Sequence, residues 1–183
     1  MLVFLIYFTF PANILIYGVN DLYDRATDAI NNKKATYEQV FDKKYDNKLI
    51  WIILFTNIPF LIYGFIFLPP SAFICLSIFV FLAWQYSATP LRAKAIPFVD
   101  SLVSGLLYVV PVGVSWGMVT NSYPPLIPII AGFLWSYAMH LYSAVPDINA
   151  DKMARIQTGA TLLGKNTTLI LCGILYSVSA VIA

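Results

Sequence analysis

The apolar positions of the chain fall into six long runs, at about residues 1–19, 49–68, 71–88, 96–118, 125–145 and 166–183. Each is apolar on every side, without the alternation of a membrane strand, and is long enough for a helix to cross a hydrocarbon core of about 30 Å. Backbone amides cannot be left bare in lipid, so the runs predict an all-α fold, a polytopic transmembrane helical bundle. Pro11 lies inside the first run and removes a backbone donor, which predicts a kink there. The same run lacks a basic leading segment and a small-residue cleavage site, so it reads as retained structure and not as a signal peptide.

Composition agrees. Of 183 residues, 60% are hydrophobic and 11% charged, with a mean hydropathy of +0.76. A water-soluble domain of this size could not hide that much apolar surface in one core. A net charge of +2 with no basic run excludes a nucleic-acid partner and leaves membrane lipid as the surroundings. Cys75 and Cys172 sit in apolar runs, without the paired spacing of a zinc or redox site, and read as buried thiols. With no linker-like segment, residues 1–183 read as a single transmembrane domain.

Where the charges lie says more than their total. Residues 21–48, 89–95 and 146–165 hold six, two and three Lys/Arg, which together are all 11 in the chain. The alternate connections, Leu68-Pro69-Pro70-Ser71 and the stretch from Asn121 to Pro124, hold none. A serpentine bundle with one charged face produces this pattern, and the positive-inside rule puts that face in the cytoplasm.

The acids gather on the same face. Asn20, Asp24 and Asp28 are spaced i, i+4, i+8, which aligns them on one side of a continuing helix. Asp147 and Asp151 repeat the i, i+4 spacing after the fifth run. Carboxylates one helical turn apart repel, so two such clusters on one face call for a cation. Mg²⁺ takes oxygen ligands from one or two carboxylates and completes its octahedron with water and phosphate oxygens, so acid pairs bridged to a diphosphate suit it. The bland reading of either cluster alone is a solvated helix end. Arg92 and Lys94 either anchor a helix at the interface or clamp an anionic diphosphate. Asp100, the most membrane-embedded acid, is either a functional group or the partner of Lys94 or Arg92 in a structural ion pair. His140, the single histidine, reads first as a packed or interhelical hydrogen-bonding residue and second as a catalytic one.

In these motifs the chain resembles the UbiA superfamily of intramembrane prenyltransferases. Asn20, Asp24 and Asp28 match its N-x-x-x-D-x-x-x-D segment, Asp147 and Asp151 its D-x-x-x-D segment, and YSATPLRAK, from Tyr86 to Lys94, its Y-S-x-P-P-x-R-x-K element. HLYSAVPDINAD and TPLRAKAIPFVDSL look most like the branch that attaches prenyl units to carotenoids, the lycopene elongases. Two positions depart from the pattern: Thr89 replaces the first proline of the P-P pair, and Arg155 stands where glycine is usual, although Lys152 and Thr158 match. The resemblance implies a nine-helix fold, of which the chain would hold six, with one helix before Met1 and two after Ala183.

It further implies Mg²⁺-dependent transfer of an allylic prenyl group from a prenyl diphosphate to a lipophilic acceptor, such as lycopene. Asp24, Asp28, Asp147 and Asp151 would be catalytic and, with Asn20, would hold the metal. Asn20, Tyr86, Arg92, Lys94, Asp100 and Lys152 would bind substrate. Tyr17, Trp84, Tyr86, Tyr108 and Tyr142 are aromatics that could flank a carbocation, the more ordinary reading of any one being core packing or interfacial anchoring. Other branches use aromatic, quinone-precursor or glycerol-lipid acceptors. Two non-enzymatic alternatives remain at this point, a cation-binding or transport protein and an inactive remnant.

Overall fold

A computed structural model describes residues 1–28, 42–153 and 156–183, with side chains described for all of these except 25–28. Its helices are α1 (Leu2–Thr9), α2 (Pro11–Asp28), α3 (Asp46–Phe67), α4 (Pro70–Ser87), α5 (Val99–Thr120), α6 (Leu126–Ser143), α7 (Ile148–Met153), α8 (Gly159–Leu163) and α9 (Lys165–Ile182). Among the described residues there is no strand. Six helical segments are long and apolar enough to cross a membrane: Leu2–Asp24, Lys43–Phe67, Pro70–Ser87, Val99–Thr120, Leu126–Met153 and Lys165–Ile182. The protein is a multi-pass integral membrane protein.

The interruptions follow from local chemistry. The expected break at Pro11 takes the form of one non-helical residue, Phe10 (φ −128°, ψ −65°), between α1 and α2. Asn57 of α3 reinforces the junction, donating from Nδ2 to the Pro11 carbonyl at 3.2 Å and to its own Ile53 carbonyl at 2.9 Å. Pro69 and Pro70 end one helix and open the next, with Pro70 in the first turn of α4, where its missing N–H costs nothing. Asn121 adopts the left-handed conformation (φ 57°) that closes α5.

Lipid tails are as apolar as leucine, so close van der Waals packing and interhelical hydrogen bonds hold such a bundle together. Small residues supply the approach. A Cβ added at Gly113 would sit 2.6 Å from Cys75 Sγ, and one at Gly117 2.8 Å from the Ala72 nitrogen. The G-x-x-x-G spacing on α5 therefore seats α4 inside the same chain. Tyr7, Leu15, Val19, Ile53, Leu76 and Phe79 fill the core between α1, α2, α3 and α4. On the other side, Ser179 of α9 donates to the Ala131 carbonyl of α6 at 2.8 Å, and Cys172 reaches the Ala138 carbonyl at 3.4 Å. Both thiols are free; Cys172 is buried as expected, whereas Cys75 is only partly buried.

Candidate active site

The C-terminal ends of α2, α4 and α6 and the N-terminal ends of α5 and α8 meet at one end of the bundle, joined by side-chain hydrogen bonds. Because α2 runs on through the first motif, Asn20 and Asp24 lie one turn apart on one face. Asn20 Nδ2 lies 3.5 Å from Ser87 Oγ at the end of α4. Asp24 is 4% exposed; its Oδ1 accepts from Arg92 Nη2 at 3.3 Å, and its Oδ2 pairs with Lys94 Nζ.

Both cations come from the short connection between α4 and α5, whose backbone is unusual. Arg92 is left-handed (φ 44°, ψ 55°), and Phe98, just before α5, has φ 66°. Non-glycine residues hold such conformations only where their surroundings over-determine them. Here the Arg92 amide bonds to the Ala88 carbonyl at 2.8 Å and the Arg92 carbonyl accepts from Ala95 at 2.9 Å, a tight reversal that returns Lys94 to Asp24. Burial lowers the Lys94 ammonium to about 8, with the Asp21 carboxylate pulling the other way. Arg92 Nε is buried without a hydrogen-bond partner.

Lys94 also links Asp24 to the second motif. It lines a cavity of about 220 Å³ together with Tyr86, Asp100, His140, Asp147 and Asp151. The second acidic pair does not lie along one uniform helix. Asp147 closes a 3-10 turn and Asp151 lies within α7, so the two flank the start of that helix and still reach one wall. Thr158 adds to the wall and caps α8 by accepting from the Thr161 amide at 3.2 Å.

Asp100 departs from the ion-pair reading, because Lys94 and Arg92 both pair with Asp24. At 1% exposure it accepts from the Gly159 amide at 3.4 Å through Oδ2, while Oδ1 has no hydrogen-bond partner. His140 takes the interhelical role: its Nε2 lies 3.0 Å from Tyr86 Oη on α4 and its Nδ1 3.0 Å from Ser101 Oγ on α5. Ser101 carried no signal in the sequence, whereas Thr158 did, as a match to the pattern after the second acidic pair. His140 did too, as a lone ionisable group inside an apolar run.

Other candidates lie elsewhere. Lys152 is exposed and is not among the residues lining the cavity. Tyr17, Tyr108 and Tyr142 are exposed on the bundle's outside, Trp84 packs against the core, and Tyr86 alone of these five lines the cavity. The side chains of Asp28 and Arg155 lie outside the described residues. Among the described residues, no three His, Cys, Asp or Glu side chains come together as a metal nest.

The whole chain, residues 1–183, matches the UbiA prenyltransferase family. It is 40% identical over 178 residues to a lycopene elongase/hydratase of Halobacterium salinarum, an alignment covering 96% of this chain and 62% of that one. A lycopene elongase/hydratase of Corynebacterium glutamicum is 34% identical over 181 residues, covering 97% of this chain and 63% of its own. The chain thus spans somewhat under two thirds of the length of these relatives. Its fold is similar to a UbiA homolog from Archaeoglobus fulgidus, solved bound to GPP and Mg²⁺, with a TM-score of 0.71, 19% identity, and coverage of 92% of this chain and 59% of that one. A family match along its entire length, with the family's fold carrying all three motifs to one end of the bundle, establishes that this chain belongs to the UbiA prenyltransferase family.

Proposed function

We propose that the protein is a Mg²⁺-dependent intramembrane prenyltransferase, moving an allylic prenyl group from its diphosphate to a lipophilic acceptor, with a carotenoid such as lycopene as that acceptor. The observation that carries this reading is Lys94, which touches Asp24 of the first motif and lines one cavity with Asp147 and Asp151 of the second. Carotenoid as acceptor draws on the relatives, which are named lycopene elongase/hydratase. The charged connections are assigned to the cytoplasmic side by the positive-inside rule.

The donor set suits Mg²⁺: the acids around the cavity offer hard oxygens, and no thiol lines it. A cation that needs one or two protein carboxylates and takes its remaining ligands from diphosphate and water does not require three acids in contact. Asn20, Asp24, Asp28, Asp147 and Asp151 would hold it. When bound, Mg²⁺ neutralises diphosphate charge and makes it a better leaving group.

The protein's own cations do the rest of the anion binding. Arg92 offers its unpartnered Nε to a diphosphate oxygen and Lys94 offers a point charge, while Lys152 meets the diphosphate at the rim. The allylic C–O bond breaks with its electron pair leaving on the diphosphate. The acceptor's π electrons then form the new C–C bond, and the resulting cation loses a proton. Apolar helices around the cavity keep water from the cation. A transport path is poorly served by this interior, since the mid-span polar group Asn57 is bound to the Pro11 and Ile53 carbonyls.

The test uses membranes containing the protein, dimethylallyl diphosphate and lycopene, with and without Mg²⁺. Pyrophosphate release that needs Mg²⁺, and lycopene carrying an added five-carbon unit by mass, are expected. Release without an enlarged carotenoid, but with a prenylated quinone precursor or glycerol lipid, would move the protein to another acceptor branch. No Mg²⁺-dependent release with any of these would end the reading.

A further inference from the structure

Prenyl transfer leaves a proton to be removed after the C–C bond forms, and none of the groups that bind diphosphate suits that task, because each is either cationic or engaged with a cation. The inner wall of the cavity holds a separate set of groups. Tyr86 brings its hydroxyl from α4 to 3.0 Å from His140 Nε2, and Ser101 of α5 holds the opposite ring nitrogen at 3.0 Å. The Tyr86 and His140 rings meet edge to face, with centroids 6.3 Å apart and planes at 86°. Asp100 lines the same cavity as Tyr86 and His140, 1% exposed, with Oδ1 lacking a hydrogen-bond partner. The remaining ionisable groups on the cavity wall are Lys94, Asp147 and Asp151.

Resting on the transferase reading above, we infer that Tyr86 and His140 form a proton-accepting relay for the coupling step, with the buried Asp100 carboxylate supplying the compensating charge. The neutral ring carries its hydrogen on Nδ1, donated to Ser101, and accepts the Tyr86 hydroxyl at Nε2. When the acceptor cation forms, the C–H bond beside the charged carbon breaks and its electron pair becomes the new C=C bond. The proton passes to the Tyr86 oxygen as the phenol's own proton passes to His140 Nε2. Tyr86 ends neutral and His140 ends as an imidazolium in the cavity that Asp100 also lines, so charge and atoms balance without another reactant. Water entering from the polar end then takes the proton away. A nitrogen base and a carboxylate placed this way follow the logic of orienting and compensating a general base. The arrangement also explains why a carboxylate lies deep in the wall with no cation paired to it among the described residues.

The relay acts after the new bond, so its loss changes what becomes of the cation. The test compares wild type with Y86F, H140Q and D100N in membranes given dimethylallyl diphosphate, lycopene and Mg²⁺, reading pyrophosphate release and the ratio of alkene to water-captured alcohol among the enlarged carotenoids. That ratio is internal to each turnover and does not depend on how much variant is folded. Y86F and H140Q are expected to lower it about tenfold or more, with pyrophosphate release falling less than alkene formation, and D100N to lower it in the same direction. T120A, at an exposed position at the far end of α5 and away from the cavity, is the control and is expected to change the ratio less than about threefold. An unchanged ratio in Y86F and H140Q, both products lost together in both variants, a T120A effect as large as theirs, or a wild-type product that is wholly alcohol would each overturn the relay while leaving the transferase reading in place. No wild-type pyrophosphate release would instead sink the transferase reading itself.

Discussion

Replacing Asp24 by asparagine keeps the side chain's shape and removes the negative charge that two cations share. The Lys94 side chain is 18% exposed, so D24N leaves an ammonium largely out of water facing a neutral amide; Arg92, at 40%, can turn to solvent. Removing one partner of a buried pair typically costs about 3–5 kcal/mol. An independent ceiling comes from deprotonation: from its ordinary 10.5, Lys94 can go neutral at pH 7 for about 3.5 × 1.36, or about 4.8 kcal/mol. At pH 9 the same escape costs about 2 kcal/mol, so the penalty of D24N shrinks as pH rises, because the unfolded chain then holds a proton that the folded one has shed. K94M alone costs less, since Asp24 keeps Arg92. The double variant, with neither charge left buried, is expected within about 1 kcal/mol of wild type. Unfolding in mixed detergent, followed at pH 7 and pH 9, gives the cycle, and a coupling of about 3 kcal/mol at pH 7 is expected. Additive singles, or a D24N penalty that grows between pH 7 and pH 9, would refute the reasoning.

Two further outcomes follow from the same geometry. Gly117→Leu places side-chain atoms against the Ala72 backbone, prises α4 from α5 and is expected to destabilise by about 1–3 kcal/mol in the same unfolding assay; Gly173→Leu, with open space where its Cβ would go, should stay within about 0.5 kcal/mol. With Lys94 lowered to about 8, its charge is nearly complete a pH unit below that value, half lost at it and mostly gone a unit above, so kcat/KM for the prenyl diphosphate should be level up to about pH 7 and fall through about pH 8, while in K94R the fall moves beyond about pH 10 because guanidinium stays charged.

The membrane spans were legible because one physical constraint, hydrocarbon thickness, acts on runs of sequence. Hydropathy marks where lipid is, however, and not where a helix stops. The first run ends at about residue 19 by hydropathy, yet α2 continues to Asp28, since the polar residues after Gly18 leave the backbone free to stay helical. Spacing likewise showed that Asn20 and Asp24 share a face, but which partner they face was beyond it. That Lys94 and Arg92 both turn to Asp24, leaving Asp100 without either, depends on a left-handed Arg92 that no local residue preference requires. The G-x-x-x-G spacing of Gly113 and Gly117 does not by itself say which helix packs on it, a choice settled in the structure by the close approach of Ala72 on α4.

His140 shows the same limit more sharply: its contacts lie 54 and 39 residues away, so only the assembled bundle reveals that both ring nitrogens are committed. Sequence periodicity reports the environment of a residue, apolar or wet, at every turn. The chemistry of this site depends instead on which charge each group is paired with, and pairing is decided where α2, α4, α5 and α6 converge. An acid that keeps a cation close can hold it for an incoming anion, whereas an acid buried without one is free to balance a charge that appears during the reaction. Asp24 and Asp100, similar in the sequence as acids near helix ends, are separated into those two conditions by the single reversal at Arg92.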